Sequence, residues 1–373
     1  MSVSGKILVL VTSYPGDGTG EAHRFVHVRN LHYVKRGFNL VVLDFSATQS
    51  FEYEGIRVIP PKAYSGTDEG YDLLITHQAN IRHHYRFLKR HGRDFPAFVF
   101  FFHGHEVLRF KTTYPKPYSY IAKTPLKTAT RDFYDTFKLF VWRNYIPKVL
   151  RKSTLVFVSE WMLDEFLKST RITLDCISDK CRIAYNCVGE LFQDGEYDWA
   201  RPKAYDCVTI RNDLDGSKYC IDIVNRLAWA NPSLRFLVVG RGSFFDHYEK
   251  APNLNWMDCT LSHSEIIKVL QDSRCALMPT RCDSQGLMAC EMATFCMPVI
   301  TSDISACHEA LDAFPNVWFF DNDTTPDLQD ILSSLETGMP YEKVDMFFSA
   351  NTITREVEIF EDAIRAGGAR GAK

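Results

Sequence analysis

The chain has 373 residues, 46% hydrophobic and 24% charged, with a formal net charge of -3. That length is too great for one hydrophobic core and suits two domains, and the balance is that of a folded chain. No run of ~18 apolar residues occurs, so no membrane-spanning helix is expected, and the 11 cysteines include no Cys-x-x-Cys pair that would suggest a structural zinc site. The first strand-like run begins almost at once, with no leader-like segment before it, and the expected setting is a reducing cytoplasm with free thiols. Charge is uneven: residues 1–188 hold 27 Lys and Arg against 17 Asp and Glu, and residues 189–373 hold 16 against 29. The basic half is the one expected to meet an anionic surface or acceptor.

Lys6-Ile-Leu-Val-Leu-Val-Thr12 is a continuous apolar run, as expected of a strand buried on both faces. A loop with Gly18 and Gly20 follows, then a helical pattern through Phe25, Val28, Leu31 and Val34, then a second buried strand at Asn39–Phe45. Strand, glycine loop, helix and strand in that order predict a parallel sheet with a right-handed crossover. Leu73–Thr76, Phe98–Phe102 and Thr154–Val158 are further strand candidates. His83, His84 and His91 lie in a basic helical stretch and are expected to face solvent. The pattern restarts with Cys207–Ile210, Leu234–Val239, Cys275–Met278 and Pro298–Thr301, with helices at Asp222–Trp229 and His263–Gln271 between them. A closing helix is expected over about 352–366, ahead of a Gly- and Ala-rich tail. The predicted division is 1–190, 204–350 and 351–373.

The segment from Met278 to Asp303 carries the strongest chemical signal. A strand ends at Pro279, a loop holds Asp283 and Gly286, and a helix follows that carries Glu291. The amides of Gly286 and Leu287 would open that helix, and a helix N-terminus cradles a diphosphate. Asp283 and Glu291 are placed to accept hydrogen bonds from hydroxyls at two ends of an extended ligand. Asp283 taken alone reads as a loop or capping acid. Glu291 lies between Cys290 and Met292 on an otherwise apolar helix, where an unpaired carboxylate is costly, so a ligand is the better reading.

This segment resembles the donor-site signature of family-4 retaining glycosyltransferases, whose fold is GT-B. In that family the first acid holds hydroxyls of the transferred sugar and the second holds the nucleotide ribose. Asp283 stands where the family usually has Glu, and Ser284-Gln285-Gly286 replaces the usual Gly-Phe-Gly. Other pieces fall in the family's order: Val158-Ser-Glu-Trp-Met162, Arg182-Ile-Ala-Tyr-Asn186, and Leu237-Val-Val-Gly-Arg-Gly242, which contains Gly240. Arg211 and Lys218 match the pair that binds the donor diphosphate. The likeness is strong over 205–310 and weak through 110–150.

The resemblance implies two Rossmann-like α/β domains with parallel sheets facing a central cleft, and a final helix crossing back to the first domain. It implies donor binding by Gly18, Gly20, Arg211, Lys218, Gly240, Asp283, Gly286, Leu287 and Glu291, with catalytic roles for His103, Arg211, Lys218 and Asp283. His103 closes the strand Phe98–Phe102, where ligands bind in open α/β sheets, and His105 competes with it for the role. Two Asp-x-Asp triplets, Asp213–Asp215 and Asp321–Asp323, are read as turn acids, so no metal is expected. No cofactor is expected beyond the substrate, a UDP- or GDP-sugar. The acceptor would be a glycan or lipid-linked saccharide, and nucleic acid is not an expected partner. Residues 109–152 interleave Lys and Arg with aromatic rings, which suits an anionic membrane surface and a peripheral place on the inner face of the cytoplasmic membrane; a core of aromatics under a solvated face is the other reading. Two functional alternatives stand beside the transferase: a catalytically inactive partner of the same fold, and a nucleotide-sugar epimerase.

Overall fold

The computed structural model describes residues 5–16, 24–66, 70–121 and 125–371, without the side chains of Pro125, Arg370 and Gly371. The chain divides into two compact units, one of Met1–Arg109, Asp132–Tyr185 and Thr352–Lys373, the other of Phe110–Arg131 and Asn186–Asn351.

The first unit is built on eight strands: β1 (Lys6–Val11), β2 (Asn39–Asp44), β3 (Phe51–Tyr53), β4 (Ile56–Ile59), β5 (Leu73–His77), β6 (Phe98–Phe102), β7 (Ser153–Phe157) and β8 (Cys181–Ile183). Their order is β3-β4-β2-β1-β5-β6-β7-β8. Every pairing is parallel except β3 with β4. β5 and β6 are buried along their whole length, which is why they read as apolar runs and not as alternating ones. The β3–β4 hairpin was not foreseen, although its sequence alternates. It turns on Glu54 and Gly55, both at positive φ, the geometry that follows the twist of a two-residue hairpin.

The helix expected through Phe25 to Val34 is present, with a different face buried, and the expectation for His84 needs correction. The stripe Phe25, Val28, Leu31 and Val34 is not the buried face of the first helix, Arg24–Lys35; the buried residues are Val26, His27, Arg29, Asn30 and Tyr33. Two members of that polar face, Arg29 and Tyr33, are met by the closing helix, Ser349–Gly371, and His27 and Asn30 by the Tyr14 hydroxyl. Arg29 Nε donates to Glu356 Oε1 at 3.0 Å, and the Tyr33 hydroxyl donates to the other carboxylate oxygen. The fully buried Glu356 carboxylate, held by a guanidinium and a phenol, ties the two helices together at this point. His84 is buried, not solvent-facing, with its ring edge-on to Phe45 and its Nε2 at 3.3 Å from the Leu10 carbonyl oxygen.

The second unit has a six-stranded, wholly parallel sheet: β9 (Tyr205–Asp213), β10 (Phe236–Arg241), β11 (Leu254–Met257), β12 (Ser273–Leu277), β13 (Val299–Ser302) and β14 (Val317–Phe320), in the order β11-β10-β9-β12-β13-β14. The helix His263–Gln271 starts where Ser262 and Glu265 form a capping box. Phe110–Arg131 packs with this unit, and Tyr118 lies in its core beside Leu214, Cys220 and Phe244.

Part of the basic aromatic stretch lies on the helix Pro125–Val149, which no sequence pattern foretold. Leu139, Trp142 and Ile146 are buried, while Phe133, Phe137 and Phe140 are 75%, 52% and 62% exposed. No helix among the described residues is long and apolar enough to cross a membrane.

Candidate active site

Strand order in the second sheet reverses between β9 and β12, and open α/β sheets bind ligands at the carboxyl ends of strands beside such a switch. β9 delivers Arg211 there, and the loop after β12 delivers Asp283, Gln285 and Gly286; all four line one pocket. Arg211 is buried, and burial pulls its guanidinium below the ordinary value while nearby Asp283 opposes that shift. Among the described residues its only hydrogen bond runs from Nη2 to the Pro279 carbonyl at 2.8 Å, and its Nε has no partner. A buried cation so poorly satisfied is costly unless an anion completes it.

Lys218 sits in the short turn Ser217–Tyr219 between β9 and the helix Ile221–Ala230, with its ammonium 4.6 Å from the Tyr219 ring centre. Its carbonyl accepts from the Arg281 amide and the Thr280 hydroxyl, each at 3.0 Å, so the turn is tied to the loop that follows β12. Gly286 has φ +67° at the N-cap of the helix Leu287–Thr294, and space beside it is open apart from the Asp283 carboxylate. The amides opening that helix are therefore approachable. Gly240 has a different reason to be glycine: a Cβ there would lie 2.0 Å from the Arg211 carbonyl oxygen, so β10 could not approach β9.

Glu291 is 4% exposed. The one hydrogen bond to its carboxylate among the described residues comes from the Gly189 amide to Oε1, at 3.2 Å. Burial pushes its pKa up to about 7, against the lowering effect of that amide. Asp283 is half-buried and accepts from the Ser284 amide at 2.8 Å.

Gln285, one of the departures from the family pattern, has a structural partner. Its Oε1 accepts from the backbone N–H and the side-chain amide of Asn186, both at 2.7 Å, and its Nε2 donates to the Asn186 carbonyl at 3.0 Å. The segment 186–189 is thereby fastened to the loop through Gln285 and to the helix through Glu291. Sequence reasoning marked the substitution and could not see the clasp, because its partners are 99 positions apart.

In the first unit, His103 follows β6 and is half-buried, with its ring 5.0 Å from that of Phe25. Its Nε2 lies 3.1 Å from Nδ1 of His77, the last residue of β5. Glu106, buried and pushed up by that burial, accepts from the amides of His103 and Gly104. His105 is exposed, and its carbonyl accepts from Lys138 at 2.7 Å. His77 and Glu106 were not singled out from sequence; His77 one position past the predicted strand Leu73–Thr76 was the available signal. Gly18 and Gly20 lie outside the described residues.

Both Asp-x-Asp triplets close turns. Asp213 and Asp321 accept from the amides two residues on, at 3.0 and 2.9 Å. No group of three His, Cys, Asp or Glu poised to hold a metal ion occurs among the described residues.

Two parallel-sheet α/β units, the second with cationic side chains and a helix N-terminus at its switch point, define the GT-B class of fold. Residues 208–336 match the family model Glycosyl transferases group 1, which bears out the resemblance at that level and supports sugar transfer. No curated protein matches the sequence. Among solved structures, a glycosyltransferase from Rickettsia africae is 12% identical with a TM-score of 0.60, over 99% of this chain and 97% of that one. The Anabaena protein HepE, in complex with UDP and glucose, is 12% identical with a TM-score of 0.59, over 99% and 98%. WaaG, a glycosyltransferase involved in lipopolysaccharide biosynthesis, is 11% identical with a TM-score of 0.56, over 97% and 94%. At such identities the likeness speaks for the fold.

Proposed function

We propose that the protein moves a sugar from a UDP- or GDP-sugar to a hydroxyl of a glycan or glycolipid acceptor, with retention of anomeric configuration, in surface polysaccharide assembly. The observation that carries this reading is the buried, under-satisfied Arg211 guanidinium in the segment that matches the glycosyltransferase family. A diphosphate would supply the missing anion. Arg211, Lys218 and the Gly286 and Leu287 amides would stabilise the charge that develops on the departing nucleoside diphosphate. Asp283 would hold sugar hydroxyls, Glu291 the ribose, and His103 would lie near the reacting sugar. The acceptor oxygen bonds to the anomeric carbon on the face the diphosphate leaves. The C–O electron pair departs with the diphosphate, whose oxygen takes the hydroxyl proton. Neither metal nor cofactor is part of this proposal.

The test is a panel of nucleotide sugars with and without acceptor extract. Acceptor-dependent release of nucleoside diphosphate with a retained anomer supports the reading. A new donor isomer identifies an epimerase, and binding without turnover an inactive partner.

The exposed Phe133, Phe137 and Phe140 favour an anionic membrane as the place where the acceptor is met. Asp132 is paired with Arg109 at 2.9 Å and Asp135 with Lys138 at 2.8 Å, whereas Arg143 and Lys148 on the same helix are exposed. Rings at headgroup depth with cations beside them suit such a surface, and the place we assign is the inner face of the cytoplasmic membrane. The wild type should sediment with anionic vesicles, less as salt rises, and the triple Phe→Ser variant should not. Equal binding to neutral vesicles, or none to either, removes the membrane.

A further inference from the structure

Both sides of the Lys218 turn are bounded by carboxylates, Asp215 before it and Asp222 after it, and each accepts a tyrosine hydroxyl from one short stretch of chain. Tyr120 Oη donates to Asp215 Oδ1 at 2.7 Å, and Tyr118 Oη donates to Asp222 Oδ1 at 2.9 Å. Neither acid is otherwise idle. Asp215 accepts from the Ser243 amide at 2.9 Å, and Asp222 takes both ends of the Arg281 guanidinium at 2.9 and 2.6 Å. Arg281 in turn donates to the Ser217 carbonyl at 2.8 Å, and its amide to that of Lys218. The turn is thus closed into a network whose outer members are the two phenols.

The stretch that supplies them is anchored by its rings. Tyr118 is buried edge-on to Phe244 at 5.0 Å, Tyr120 stacks on His247 at 4.2 Å, and the Ser119 hydroxyl is 3.2 Å from that of Tyr248. Pro115 and Pro117 precede it and narrow the conformations the free segment can sample. Its chain neighbours on both sides, up to Arg109 and from Asp132, belong to the other unit, and Arg109 and Asp132 are ion-paired there.

We propose that Tyr118 and Tyr120 are positioning residues for Lys218: the 118–121 segment splints the turn that presents the lysine to the donor diphosphate. A lysine is a flexible point charge, and its contribution to an anion depends on how firmly its backbone is held. The proposal rests on the diphosphate role of Lys218 and adds that a segment from outside the family-matched region sets the strength of that contact.

The experiment is a double-mutant cycle on UDP and GDP binding by calorimetry, with wild type, K218A, Y118F/Y120F and the combined variant. Phe keeps the rings and removes only the hydroxyls. Y118F/Y120F should weaken binding of the better nucleotide by roughly ten-fold, the order expected when hydrogen bonds to charged groups are lost, and should add nothing in the K218A background. Unchanged affinity in Y118F/Y120F overturns the proposal, as does an equal loss in both backgrounds, which would mean the phenols act elsewhere. K218A binding as well as wild type would instead remove the diphosphate role of Lys218, and the splint with it.

Discussion

The groups around His103 and those around Arg211 occupy equivalent places, the carboxyl ends of parallel strands, yet they are held differently. At His103 the partners are another imidazole, an aromatic ring and a buried carboxylate that binds backbone amides. At the other site the Arg211 guanidinium and the Asp283 carboxylate line one pocket with Gly286. Lys218 lies in the turn after β9 and Glu291 in the helix that Gly286 opens, and Arg211 and Glu291, the best buried of these, are left short of partners. The first arrangement is built from groups that are neutral or held by backbone amides. The second is electrostatically incomplete and suits a ligand that brings its own charge. The family match falls wholly on the second.

The comparison breaks first at the diphosphate. Arg211→Ala and Lys218→Ala should each lower turnover by on the order of 10²-fold, as loss of a donor to developing charge does. Full activity in either variant would mean that the charges on the second unit are surface or structural ones. The same assay run with EDTA should keep its rate; strict dependence on added Mg²⁺ would return attention to the Asp-x-Asp triplets.

Glu291 gives a sharper, smaller effect. Glu291→Ala should weaken nucleoside diphosphate binding by ~1.5–3 kcal/mol, the worth of a hydrogen bond to a charged group, and calorimetry reads it directly. The carboxyl also has a pH signature. Its folded pKa of about 7 lies above its ordinary value, so the folded state binds the proton more tightly. The stability from that proton is complete below about pH 4.5 and is lost as pH rises through 7. Between pH 5 and pH 8 the melting temperature of the wild type should therefore fall relative to Glu291→Gln, by the equivalent of about 3 kcal/mol at most. A constant difference would show that Glu291 is not the group that titrates.

His103→Ala is expected to act on rate alone, with nucleotide affinity unchanged. The exposed His105 should tolerate Ala. The reverse pattern would exchange the two histidines and leave the His77–His103 pair a packing feature of β5 and β6.

What the sequence carried by itself was local. Buried parallel strands announce themselves as apolar runs, and strand, turn and helix in succession fix where helix N-termini meet strand ends, so Arg211, Gly286 and Glu291 could be placed before any coordinates. The polar face of the helix Arg24–Lys35 defeated the same reasoning, because Arg29 and Tyr33 are buried by Glu356, more than 300 residues on. The aromatic stretch gave no periodicity that told Trp142, which is buried, from Phe137, which is not. Tertiary structure alone joined Gln285 to Asn186, Tyr118 to Asp222 and His77 to His103. Each of those pairs is a hydrogen bond between ordinary polar residues far apart in the chain. No propensity or spacing marks such a bond, since its energy appears only after packing has brought the partners together and excluded water from them.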